Sequence, residues 1–162
     1  METRPAVELD VDEIARVWLE SYRHADGSPA EMPPFEHFRT RIETEMVSGM
    51  WAVTVAVCEG RIVAFLSLVP ADSVLRELFV LPSMQRRGIG SLLLGQAMRA
   101  LPEGFTLGAA AANLGACRFY EASGLELVED YIHPRHGILY RLYGWHVAGD
   151  RPWNLDPRRL AP

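Results

Sequence analysis

The part of this 162-residue chain best suited to chemistry is Gln85-Arg86-Arg87-Gly88-Ile89-Gly90, which runs through Ser91 into an apolar stretch. It follows residues 75–81, an apolar segment of strand character that Pro82 stops, and it opens a helix. The first amides of a helix lack intrahelical partners and lie at the positive end of its dipole. Such a start is a natural seat for a phosphate or pyrophosphate. Arg86 and Arg87 add positive charge, and Gly88 and Gly90 let backbone approach a bulky anion. Two phosphate motifs are excluded. The dinucleotide fingerprint needs a third Gly or Ala where Leu93 stands, and the P-loop needs a lysine, which this chain lacks.

Other chemistry-bearing residues are scattered. Glu77 interrupts an apolar strand, where a carboxylate is costly to bury unless it is paired or functional. Asp72, in the preceding turn, is a weaker alternative. Tyr120 follows Phe119 on a short amphipathic segment. His133 and His136 are the closest histidine pair, but they lie on a loop and do not converge with further ligands, so no metal site is expected. Asp26 and Glu31 lie in an irregular loop, 25–34, as solvated charges or as an attraction for a cationic amine.

Two motifs together carry a family resemblance. Gln85-x-x-Gly88-x-Gly90 matches Q/R-x-x-G-x-G/A. Asn113-x-x-Ala116-x-x-Phe119-Tyr120-x-x-x-Gly124-Leu125 follows N-x-x-A-x-x-F-Y-x-x-x-G-F, with Leu125 in place of the usual aromatic. The chain thus resembles the GNAT superfamily of N-acetyltransferases over about residues 2–143. The resemblance implies acetyl-CoA as co-substrate, an amine acceptor and direct transfer between them. It places the backbone of Phe79, Val80 and Leu81 along the pantetheine, with an amide near Val80 as oxyanion donor. The pyrophosphate rests on Gln85, Arg86, Arg87, Gly88, Ile89, Gly90 and Ser91, and Asn113 supports the cofactor from the opposite side. Tyr120 stands where a tyrosine often serves as general acid, and a phenol of pKa ~10 suits a departing thiolate. The family's usual early-strand carboxylate is Val74 here, which leaves Glu77 or ordered water as the base. A small amine, a protein N-terminus or lysine, and a non-catalytic acyl-CoA sensor all remain open, and a homodimer is an expectation of the resemblance alone.

The elements that must position these residues follow from periodicity. A first strand spans about 2–6. Asp10 and Glu13 have capping-box spacing ahead of a helix reaching His24, and a second helix runs from Phe35 to Val47. Residues 51–58, a Glu59-Gly60 turn and residues 61–69 form a hairpin. The strand at 73–81, a helix at 90–101, a strand at 105–111, a helix at 113–123 and strands at 125–130 and 138–143 complete the pattern. It predicts an α+β, three-layer fold with helices on both faces of a mixed, mostly antiparallel twisted sheet of six to seven strands. The resemblance adds a splay at the central acyl-CoA strand. Residues 1–143 form one domain, and 144–162 are a C-terminal extension packing on it or on a partner subunit.

Composition narrows the setting. The formal net charge is −5, all sixteen basic residues are arginine, and residues 1–50 hold eleven carboxylates against five arginines. Without a basic stripe, nucleic acid is not an expected partner. No apolar run is long enough to span a membrane and no secretory signal is evident, so a cytoplasmic protein is expected. Cys58 and Cys117 read as small buried hydrophobes rather than a disulfide pair.

Overall fold

The structure is a computed structural model that describes residues 1–135 and 137–146. Its chain order is β1 (Glu2–Pro5), α1 (Val11–His24), α2 (Phe35–Val47), β2 (Ala52–Cys58), β3 (Arg61–Val69), β4 (Val74–Val80), α3 (Ile89–Ala100), β5 (Phe105–Ala110), α4 (Leu114–Ala122), β6 (Glu126–Ile132) and β7 (Leu139–Trp145). One seven-stranded sheet runs β1-β2-β3-β4-β5-β7-β6. Every neighbouring pair is antiparallel except β4 and β5.

The central strand β3 is buried from Ile62 to Val69 because both sheet faces are covered. Adjacent residues enter different cores. Phe65 packs with Ile14, Trp18, Phe38 and Ile42 of α1 and α2, while Leu66 packs with Leu93, Leu94 and Ala97 of α3 and Cys117 of α4. Each fully buried large apolar side chain stabilises the fold by about 1.5–3 kcal/mol. Glu59 and Gly60 adopt φ of 51° and 77°, the primed-turn geometry that matches the hairpin's twist.

Two local expectations change. Asp10 does not cap α1, since its carboxylate accepts the Val7 amide (2.8 Å) and both terminal nitrogens of Arg4 (2.6 and 2.9 Å). A charge-assisted bidentate pair outcompetes a lone helix amide, and it holds the Asp10 carboxyl below its ordinary range. Glu13 does not reach back either; it accepts from the Ile62 amide at 3.3 Å. The last strand also extends through Gly144 and Trp145, where Trp145 stacks on Phe105 at 5.5 Å. His136 and the remainder of the expected extension, 147–162, lie outside the described residues.

Candidate active site

β4 and β5 share a single residue pair, Val74 with Thr106, reinforced by the Thr106 amide on the Ser73 carbonyl at 3.0 Å. Beyond it β5 turns to β7 while β4 stays with β3, so the sheet forks. Two adjoining clefts of about 480 and 280 Å³ open beside the fork. Both are bordered by Asp26, Leu78, Phe79, Asn113 and Tyr120.

The larger cleft is lined by the end of α1, the β4 edge, the turn into α3 and the start of α4. The Leu81 amide donates to the Val63 carbonyl at 2.9 Å, and Val80 lies opposite Ala64. Peptide edges alternate along an antiparallel strand, so Phe79 and Leu81 turn theirs to β3, whereas Leu78 and Val80 turn theirs to the fork. Of the expected backbone set, Phe79 borders both clefts, Val80 borders the larger one and Leu81 borders neither, while Leu78 also turns its peptide edge to the fork. The Val80 carbonyl accepts from Ser21 Oγ and Gln85 Nε2, both at 3.1 Å. Gln85 thereby ties the turn to the strand.

Arg86 (φ 61°) and Gly88 (φ 80°) curl the turn into the start of α3. The first internal bond of α3 is Leu92 N–H to the Gly88 carbonyl, so the amides of Ile89, Gly90 and Ser91 have no intrahelical partner. Arg86, Gly88, Gly90 and Ser91 border the cleft, but Arg87 is exposed outside it, and Ile89 is buried in the core. A Cβ on Gly90 would stand 3.4 Å from the Phe119 ring, an ordinary contact distance that puts the start of α3 against α4. Asn113 borders both clefts, but its Oδ1 caps α4 by accepting from the Ala116 amide at 3.1 Å.

The smaller cleft is built of side chains from across the chain. It is bordered by Tyr22 of α1, Arg41 of α2, Arg76 and Glu77 of β4, Tyr131 of β6, Arg135 and Tyr140 of β7. A bulge explains the adjacent Arg76–Glu77 pair. Ser67 faces Glu77 and Leu68 faces Leu75, leaving Arg76 unmatched, so neighbours that strict alternation would separate reach one cleft. Val74 is buried at the fork, and Asp72 lies in the preceding turn outside both clefts. Asp26 borders the clefts and Glu31 does not.

Burial raises the Glu77 carboxyl to about 7, against the opposing pull of Arg41 and Arg76. Burial also raises the Tyr120 phenol, with Glu77 and Cys117 adding to the shift. Tyr131 is pushed up to about 12 by burial, with Arg76 pulling the other way. Among the described residues no group of three metal-ligating side chains converges, and no helix is long and apolar enough to cross a membrane. Sequence reasoning missed Arg41, Arg76, Arg135, Tyr131 and Tyr140. Only Arg76 left a local signal, as a second charge beside Glu77 in an apolar strand.

An α+β sheet forked beside a two-part cleft defines an acyltransferase architecture. A model of the acetyltransferase (GNAT) family matches residues 11–125. The chain belongs to that family, and is an acyltransferase. Similar solved structures include a ribosomal-protein-alanine N-acetyltransferase from Brucella melitensis (16% identity, TM-score 0.72, 91% of this chain and 100% of that one). Others are the PaiA N-acetyltransferase of Thermoplasma acidophilum in complex with coenzyme A (16%, 0.72, 89% and 98%) and apo YjaB of Escherichia coli (24%, 0.66, 92% and 98%). At these identities they show the fold. No curated protein sequence matches significantly.

Proposed function

We propose that this enzyme transfers an acetyl group from acetyl-CoA to the primary amine of a small molecule, by direct attack within a ternary complex. The observation that carries the reading is the junction of the two clefts at Tyr120, Leu78 and Phe79. A thioester lying along β4 and an amine beside Glu77 would meet there. The similar PaiA N-acetyltransferase, solved in complex with coenzyme A, supports a coenzyme A thioester as the donor.

In this reading the pantetheine pairs with the peptide edge of Leu78, and the pyrophosphate rests on the amides of 89–91 beside Arg86. Glu77 takes a proton from the ammonium, and a carboxyl poised near 7 suits that task. The neutral amine attacks the thioester carbon, and the Val80 amide holds the oxyanion. Collapse expels the thiolate, which takes its proton from Tyr120. A raised phenol remains protonated and available for that step. The small-molecule reading is favoured by the 25–34 loop. Gly27 presses against Ala112, where an added Cβ would stand only 2.7 Å away, so this loop walls the cleft.

Saturating acetyl-CoA at ~100 times its Kd should add ~2.7 kcal/mol of stability. An upward shift in Tm together with thiol release on adding amines is the expected result. No shift at millimolar acetyl-CoA would remove the basis of the reading.

A further inference from the structure

The smaller cleft is rich in guanidinium. Arg41, Arg76 and Arg135 reach it from a helix, a bulged strand and a hairpin loop, while Asp26 and Glu77 are its carboxylates. Clustering like charges beside desolvating aromatic walls is unfavourable unless an anion offsets it. Glu77 and, from outside the lining, Glu45 offset part of it. Arg41 is instructive because no carboxylate among the described residues forms an ion pair with it. It lies over the Trp18 and Trp51 rings at 5.7 and 5.4 Å, and its buried Nε has no hydrogen-bond partner. Cation–π contacts hold the guanidinium in place without using its capacity to bind a carboxylate.

We infer that the acceptor is a primary amine bearing a carboxylate near its nitrogen, an amino acid or close analogue, with Arg41 holding the carboxylate. The inference rests on the acetyl-transfer reading for the use of this cleft. Tyr22, Tyr131, His133 and Tyr140 surround the remaining space, with the His133 and Tyr140 rings 4.6 Å apart, and suit an apolar or aromatic body. No covalent step beyond acetyl transfer is involved.

The test compares matched pairs on the full-length protein: L-phenylalanine with phenethylamine, L-tyrosine with tyramine, and L-ornithine with putrescine. In at least one pair the acid should have at least a tenfold higher kcat/KM, measured by thiol release. Arg41→Gln should collapse that ratio toward one, chiefly through KM. Arg41→Met, whose unbranched stem can lie on the Trp18 and Trp51 rings, is the second variant should Arg41→Gln fail to fold. Amines equal to or better than their acids in every pair would overturn the inference, as would a ratio unmoved by the folded variant. If neither member of any pair is acetylated, binding of N-acetyl-L-tyrosine and N-acetyltyramine to the CoA-loaded protein decides. Selective binding of the acid, lost in the variants, supports the inference; equal binding or none overturns it. The acetyl-CoA melting shift reads the parent proposal separately, so failure of one is distinguishable from failure of the other.

Discussion

The two clefts are made by different means. The larger one draws on stretches of consecutive chain, the end of α1, the β4 edge, the turn into α3 and α4, and its β4 edge and turn offer amides that any side chain would leave in place. The smaller one depends on particular side chains from α1, α2, β4, β6 and β7. The difference teaches where variation is tolerated. A surface of backbone donors is fixed by strand register and turn shape, whereas a surface of side chains can be rewritten one substitution at a time without disturbing the fold.

Substitutions can sharpen or break that contrast. Glu77→Gln should have the largest effect, lowering kcat/KM by about 10³-fold if Glu77 is the base. Only its ionised form accepts a proton, so wild-type activity should fall about tenfold per pH unit below about 7 and level off above it. The variant should lose that limb. A retained limb in the pH–rate profile would assign the base elsewhere. Tyr120→Phe should lower kcat by about 10²-fold while acetyl-CoA affinity measured by calorimetry stays unchanged. Equal turnover would take the phenol out of the mechanism.

In the backbone-built cleft, Gly88→Ala forces a Cβ into φ 80°. It should cost about 1–2 kcal/mol and raise the KM for acetyl-CoA several-fold with little change in kcat. A fall in kcat alone would contradict the division between the clefts. The remaining effect is on stability. Native Glu77 binds its proton more tightly than an ordinary carboxyl of 4.5, so its favourable contribution is present below 4.5 and is lost as pH rises through about 7. Glu77→Gln should therefore gain about 2–3 kcal/mol relative to wild type between pH 5 and pH 8, read as a difference in Tm. An unchanged difference would mean that solvent reaches the carboxylate.

Legibility in the sequence followed the same division. The hairpin around Glu59-Gly60, the strand before Pro82 and the Gly88-x-Gly90 helix start are local patterns, and each was readable because the residues that make it are neighbours. The Asp10 cap was misread because its partner, Arg4, lies on another element. Which amides of 78–81 face β3 and which face the fork was not readable, because register decides it and register is a property of the pair. Asn113 was found at the site, but its role as the cap of α4 depends on where that helix begins.

By itself the sequence determined the order of elements, the two cores' apolar faces and the glycine-rich turn that opens α3, since all three are set by periodicity, turn chemistry and glycine placement over short spans. The tertiary structure alone decided the fork at Val74 and Thr106, the bulge that brings Arg76 and Glu77 to one cleft, and the meeting of Arg41 with Arg135. Those arrangements depend on pairing and packing between distant segments, and no local preference records them.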